Sequence, residues 1–226
     1  MISIIIPVLN EELTISSVLN HVFGLSGNFE VIVVDGGSQD NTLKILKSYD
    51  QVKIITGPQG RAVQMNAGAE HAQGEMLLFL HADTILPDSA LTTINGFEEE
   101  NDIQAGGFLH QFSGQDWRLK LISKIDNYRC RKSKIFYGDQ ALFVRNSMFK
   151  KIGGFPDQTI LEDWAFGQML RQHTNPVIIK DKVITDSRKF EKAGIWKSFL
   201  RVAAILTRLK LGLPVPEQHP FFENVR

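Results

Sequence analysis

Cysteine is almost missing from this chain of 226 residues: Cys130 is the only one, which rules out an internal disulfide and suits a reducing compartment. We read it as an inert, partly buried thiol. Excess charge is missing too. The 25 basic and 25 acidic residues cancel, so no global field draws the chain to nucleic acid. No uninterrupted apolar run reaches the roughly 18 residues that a membrane-spanning helix needs. The opening Ser3-Ile4-Ile5-Ile6-Pro7 has no basic stretch before it and no small-residue cleavage site after it, so it reads as a first strand and the chain is expected to stay in the cytoplasm. There is no G-x-G-x-x-G between the first strand and helix, which excludes a dinucleotide-dependent oxidoreductase. His21, His71, His110, His173 and His219 show no metal-binding spacing and read as structural or surface residues. Repeats and low-complexity segments are absent.

What is present is alternation. Ile2 to Ile6, Phe29 to Val34, Val52 to Ile55 and Met76 to Leu80 read as strands, with helical patterns between them. Those helices begin near Asn10, with Glu11 and Glu12 in the first turn, behind Asp40, at Arg61 (to about Ala72), and behind Asp88. Further on, the patterns predict a strand over Ala105 to Phe112, a basic amphipathic helix from Asp116 to about Arg131, a short strand over Ala141 to Val144 and a turn at Gly153-Gly154. A helix from Leu161 to His173 follows, then two strands at Val177 to Ile179 and Val183 to Thr185, a last helix from Ala193 to Leu211, and a packed extended tail over Pro214 to Arg226. Such a series belongs to the α/β class, with a mostly parallel central sheet flanked by helices and a C-terminal amphipathic helix. One domain over 1–190 and an appendage over 191–226 fit this length.

In sheets of this kind ligands bind beyond the carboxyl ends of the strands. The first strand is followed by Pro7-Val8-Leu9-Asn10-Glu11, the second by Asp35-Gly36-Gly37-Ser38-Gln39-Asp40-Asn41-Thr42, and the fourth by His81-Ala82-Asp83. Together these resemble the family 2 glycosyltransferases, whose hallmarks are P-x-x-N-E, D-x-x-S-x-D-x-T and a D-x-D at the fourth strand. The run from Gly60 to Ala69, GRAVQMNAGA, narrows the resemblance to a small bacterial subgroup. Tyr137-Gly138-Asp139-Gln140, Gly153-Gly154-Phe155-Pro156 and Leu161-Glu162-Asp163 look like its later motifs, so the likeness covers essentially the whole chain.

The resemblance implies a GT-A (nucleotide-diphospho-sugar transferase) fold and an inverting transfer of a sugar from a nucleoside diphosphate, UDP-linked, to an unidentified acceptor. Residues 1–100 would be the nucleotide-binding half and 101–190 the acceptor half. Pro7, Val8, Asn10, Glu11, Asp35, Gly36, Arg61 and Ala82 would meet the nucleotide. Asp83 would hold a divalent cation, Mn2+ or Mg2+, which neutralises charge on the departing diphosphate. The family pattern has an acid where this chain has His81, so one carboxylate, diphosphate oxygens and water would hold the ion. Asp163 would be the base, and His81, Gly138, Asp139, Gln140, Glu162 and Arg188 are further candidates on the acceptor or donor side.

Structural explanations stand beside several of these. Asp35 suits an Asx-turn into Gly36-Gly37, Glu11 and the pair Glu162-Asp163 suit acidic first turns, Asp83 suits a solvated cap, and Arg188 a solvated basic turn. The two basic amphipathic helices join Trp117, Leu121, Ile122 and Ile125 to Arg118, Lys120, Lys124, Arg129 and Arg131, and Trp196, Phe199, Leu200, Val202, Ile205, Leu206 and Leu209 to Lys197, Arg201 and Arg208. They fit either a peripheral membrane surface on the inner face of the cell, with a polyprenyl or carotenoid lipid as acceptor, or ordinary packing on the sheet. A second copy of the chain is a further candidate partner. The competing functions are a catalytically silent sugar-nucleotide-binding scaffold, favoured by His81, and a sugar-phosphate nucleotidyltransferase. The latter needs a glycine-rich loop that Pro7-Val8-Leu9-Asn10 does not supply.

Overall fold

The computed structural model describes residues 1–100, 102–157, 161–211 and 213. The expectation for the tail over Pro214 to Arg226 lies outside the described residues. The strands are β1 (Ile2–Val8), β2 (Phe29–Asp35), β3 (Val52–Thr56), β4 (Met76–Phe79), β5 (Thr84–Ile85), β6 (Ala105–Phe112), β7 (Phe143–Arg145) and β8 (Val177–Thr185). The helices are α1 (Ile15–Gly24), α2 (Thr42–Leu46), α3 (Arg61–Glu70), α4 (Ala90–Gly96), α5 (Trp117–Ser133), α6 (Asn146–Ile152), α7 (Glu162–His173), α8 (Arg188–Ala193) and α9 (Ile195–Lys210).

All eight strands form one sheet in the order β3-β2-β1-β4-β7-β6-β8-β5. Pairings β2–β3, β1–β2, β1–β4 and β6–β8 are parallel, and β4–β7, β6–β7 and β5–β8 are antiparallel. The mixed α/β class expected from the alternating patterns is therefore found, and each antiparallel pair includes a strand from beyond residue 100. β1 is buried along its whole length, as a continuous β-branched run covered on both faces must be. Pro7 sits in this central strand beyond Ile5, where pairing with β4 stops, so its missing N–H costs no bond on that side. One buried cluster joins Ile4, Ile6 and Leu78 to Phe108, Phe143, Ile179 and Val183, so the core runs across position 100.

Several boundaries differ from the sequence patterns. The first helix starts at Ile15, because Asn10 adopts a left-handed φ of 56° and breaks the turn that Glu11 and Glu12 would have opened. Asp40 does accept the Thr42 N–H at 2.9 Å, whereas the N-cap position of α4 is held by Ser89, without a side-chain cap bond, and not by Asp88. The two short strands after residue 176 are one strand, β8, whose register against β6 shifts between Phe108 and Leu109. That bulge interrupts the apolar alternation with Lys180, Asp181 and Lys182. The strand expected over Ala141 to Val144 is displaced to β7, since Ala141 takes a left-handed φ of 45° and the helix α6 follows immediately. The last helix is found as α9, starting just after Gly194, whose φ is 90°, and a short helix that the patterns did not show, α8, precedes it.

Candidate active site

The carboxyl ends of β1 and β2 are tied together by their own motif residues. Asp35 is fully buried, and its carboxylate accepts the N–H of Gly37 at 3.0 Å and of Ser38 at 3.1 Å, an Asx-turn. Asn10 N–H donates to Ser38 Oγ at 2.9 Å, and Asn10 Oδ1 accepts from Gln39 N–H at 2.8 Å. Glu11 N–H donates to Thr42 Oγ1 at 2.8 Å, and Glu12 N–H to Asp40 at 3.1 Å. Gln64 of α3, which drew no attention in the sequence, donates through Nε2 to the carbonyls of Val8 at 2.9 Å and Val34 at 2.8 Å. A Cβ at Gly36 would stand about 3.0 Å from this amide, so a larger residue there would press on it. Pro7, Val8 and Ala82, expected to meet the nucleotide, are buried.

Asp83 follows β4 and is largely buried. Lys189 Nζ of α8 lies 3.3 Å from its Oδ2 and 3.5 Å from Glu11 Oε1. Burial would lower the Lys189 pKa, but the carboxylates of Asp83 and Glu11 outweigh it and hold the ammonium above its ordinary value. Lys189 was not among the expected site residues. Its neighbour Arg188 was, and it points elsewhere: it is half exposed and pairs with Asp186 at 2.7 Å. His81 is pulled down to about 4, by burial first and then by Arg61, so its ring is neutral. Its Nε2 is buried without a partner among the described residues.

The His81 ring packs against Gly138, where any Cβ would overlap it. Gly138 N–H in turn donates to Asp163 Oδ2 at 2.6 Å, and Asp163 Oδ1 accepts from Trp164 N–H at 2.6 Å. The fourth-strand motif and the Leu161-Glu162-Asp163 motif therefore meet through one glycine. Beside them Asp139 Oδ2 lies 3.5 Å from His110 Nε2, while Asp139 Oδ1 and both His110 nitrogens lack hydrogen-bond partners among the described residues. Burial raises the Asp139 carboxyl to about 6, against the pull of His110. His110, expected to be merely structural, is held at this place by Asn127, which bonds its backbone N–H and carbonyl at 2.8 Å each.

Arg61 Nε pairs with Glu162 Oε1, 3.0 Å away. Glu162 is buried, with its carboxyl pushed upward by that burial and its other oxygen unpartnered. Gln140 is fully buried, and both ends of its amide are used within the fold. Oε1 accepts from Tyr137 N–H at 3.0 Å and from Arg129 Nη2 at 2.9 Å, so it braces the turn and does not face an acceptor. Arg129 departs from the expected basic surface as well. It turns inward to Asp126 at 2.8 Å and lies 3.5 Å over the Tyr137 ring. Cys130 is buried, and that burial pushes its thiol up to about 11, as an inert cysteine requires.

As a cation site, the strand end offers the carboxylates of Asp83 and Glu11, both paired with Lys189, while the unpartnered His81 Nε2 is buried against Gly138. No group of three or more His, Cys, Asp or Glu side chains gathers among the described residues. This set fits an ion that takes most of its ligands from a bound diphosphate and from water, and not one caged by protein.

Comparison with known proteins adds the following. The family model for glycosyl transferase family 2 matches residues 3–155. A PGL/p-HBAD biosynthesis glycosyltransferase of Mycobacterium bovis is 28% identical over 233 residues, covering 95% of this chain and 88% of that one. An undecaprenyl-phosphate 4-deoxy-4-formamido-L-arabinose transferase of Aeromonas hydrophila is 26% identical over 145 residues, covering 59% of this chain and 44% of its own length. Among solved structures, Staphylococcus aureus TarS 1-349 in complex with UDP-GlcNAc superposes with a TM-score of 0.67 at 20% identity over 83% of this chain. The chain spans 58% of that TarS fragment. The mannosyltransferase PcManGT of Pyrobaculum calidifontis, in complex with GDP-Man and Mn2+, gives a TM-score of 0.66 at 18% identity, covering 99% of this chain and 67% of that one. These structural likenesses establish the GT-A fold.

Proposed function

The chain belongs to the glycosyl transferase family 2 and is a glycosyltransferase; on that premise we propose that it inverts, moving a sugar from a UDP-linked donor onto a hydroxyl activated by Asp163. The observation that carries this reading is the contact chain from His81, in the same strand-end motif as Asp83, through Gly138 to Asp163. Donor diphosphate and acceptor hydroxyl must lie within one reacting distance of each other, and this chain joins the residues proposed for the two. Two backbone amides fix the Asp163 carboxylate in orientation and leave free lone pairs on both oxygens. It takes the acceptor hydroxyl proton as that oxygen attacks the anomeric carbon, on the face opposite the leaving diphosphate. Asp139, with an unused oxygen, offers an acceptor for a sugar hydroxyl.

On the donor side, Asp35, Glu11 and Arg61 stand at the strand ends where base, ribose and diphosphate belong in this reading. Asp83 would hold Mn2+ or Mg2+, which when bound offsets the charge gathering on the diphosphate. The UDP-GlcNAc bound to TarS and the GDP-Man with Mn2+ bound to PcManGT support the donor class and the ion by analogy alone. Residues 1–100 serve the nucleotide and 101–190 the acceptor, apart from the start of α8, which returns to the end of β4. The experiment is a thermal-shift panel of UDP- and GDP-sugars with and without Mn2+. A bound donor at a hundredfold over its Kd stabilises the fold by about 2.7 kcal/mol, so at least one UDP-sugar is expected to raise the melting temperature. A flat panel would contradict the donor reading.

For the acceptor we propose a lipid, a polyprenyl or carotenoid, met at an anionic membrane surface. Trp117, Leu121, Ile125 and Tyr128 of α5 and Trp196 and Leu200 of α9 are exposed, with the two tryptophan rings 6.2 Å apart, and exposed Lys120, Lys124 and Lys197 accompany them. No helix among the described residues is long and apolar enough to cross a membrane. The undecaprenyl-phosphate in the name of the Aeromonas relative supports a lipid by analogy. Sedimentation with anionic vesicles is expected to pellet the protein, and recovery in the supernatant alone would sink the idea.

A further inference from the structure

Position 189 carries a lysine that the strand-end motifs do not mention and that none of the roles above employs. Its place is set by the sheet. β5 and β8 pair Thr84 with Thr185, and Asp186 N–H donates to the Asp83 carbonyl at 2.9 Å, so α8 starts directly beside the end of β4. From there Lys189 Nζ lies 3.3 Å from Asp83 Oδ2 and 3.5 Å from Glu11 Oε1. Arg188, one residue earlier, turns outward to Asp186, and Arg61 is engaged by Glu162. Two acids at this strand end would repel an approaching diphosphate unless a cation stood with them. Among the described residues, Lys189 is the cation that lies beside both.

We infer that Lys189 is a tethered counter-cation for the donor diphosphate, sharing the Asp83 carboxylate with whatever divalent ion binds there. The inference rests on the diphosphate donor proposed above. Two consequences of opposite sign follow. Without nucleotide, the ammonium competes with a metal ion for Asp83 and weakens metal binding. With nucleotide, it supplies positive charge that does not depend on metal, so the diphosphate is still bound in the presence of chelator. A lysine that served folding alone would produce neither pattern.

Titration calorimetry on the full chain, with Mn2+ alone and with UDP in EDTA as probes, tests this. Lys189→Met is expected to bind Mn2+ about three- to tenfold more tightly than wild type, because the competing charge is gone. The same variant is expected to bind UDP in EDTA about tenfold or more weakly, the loss of a charge-assisted contact. Lys189→Arg keeps the charge and stays close to wild type in both titrations. Should Lys189→Met fail to fold, Lys189→Gln carries the same expectation. A neutral variant that leaves both constants unchanged, or moves them in the same direction, overturns the role of Lys189 while the donor reading stands. A wild type that binds no UDP with or without Mn2+ overturns the donor reading and this inference together.

Discussion

The ends of β1 and β2 and the turn around Gly138 are neighbouring parts of one sheet, yet they treat their polar atoms in opposite ways. In the first, Asn10, Asp35, Ser38, Asp40 and Thr42 bond to one another and to backbone amides. In the second, His81, His110, Asp139 and Glu162 each keep a buried polar atom with no partner among the described residues. Buried polar groups are normally satisfied, and leaving one unpaired costs about 1–3 kcal/mol. The first region therefore spends its motif on building a rigid end to the sheet. The second holds hydrogen-bonding capacity in reserve, as a site for hydroxyl-rich ligands must.

If this contrast is right, substitutions in the two regions fail differently. The largest effect on stability is expected from Asp35→Ala, which strips the Gly37 and Ser38 amides of their acceptor inside a fully buried turn. Two such amides lose about 3 kcal/mol in total, read by urea unfolding without nucleotide. A loss below about 1 kcal/mol would mean that water replaces the carboxylate and that the turn is less rigid than described. Next comes Gly138→Ala, whose added methyl overlaps the His81 ring. Overpacking of this kind costs about 1–3 kcal/mol, and His81→Ala in the same chain should restore most of it. Failure of that rescue would break the contact chain on which the proposed site depends.

The smallest effect, and the most diagnostic of the second region, concerns pH. The Asp139 carboxyl titrates near 6 in the folded chain against an ordinary 3.8, so between those values the folded state holds more protons than the unfolded one. Its contribution to stability is present below 3.8 and is lost as pH rises through 6. Asp139→Asn removes that loss. The variant is expected to melt a few degrees above wild type at pH 7.5 and with a smaller difference at pH 5, by scanning calorimetry in the absence of ligand. A pH-independent difference would mean that His110 fully compensates the charge.

The first region was legible in the sequence because its chemistry is local. Pro7 to Glu11 and Asp35 to Thr42 each sit in one run, and the amides that their side chains bond lie a few residues away or on the neighbouring strand. Strand ends, the Asp40 cap and the Asx-turn at Asp35 could be read from such runs, whereas the start of α1 could not, because Asn10 takes a left-handed φ. The second region is assembled across long separations that no pattern encodes. Lys189 meets Asp83 across 106 positions, and Gly138 meets Asp163 across 25. The motif named Gly138, Asp139, Glu162 and Asp163 but could not say that His110 stands behind Asp139, or that Gln140 and Arg129 turn inward as braces. Adjacent residues also misled. Arg188 and Lys189 look equivalent in sequence, and only the angle at which α8 leaves β8 decides that Lys189 reaches the strand ends. The basic spacing of α5 gave no sign that Arg129 would leave the surface to stack on Tyr137.

The account stands or falls most directly on Asp163. UDP release should be followed from whichever UDP-sugar stabilises the wild type, with water or an added lipid as acceptor, alongside the affinity for UDP. Asp163→Asn is expected to lower the release rate by about 10²–10⁴-fold, the usual contribution of a positioned base, and to leave UDP affinity at the wild-type value. A variant that releases UDP as fast as wild type would contradict the proposal that this carboxylate takes the acceptor proton.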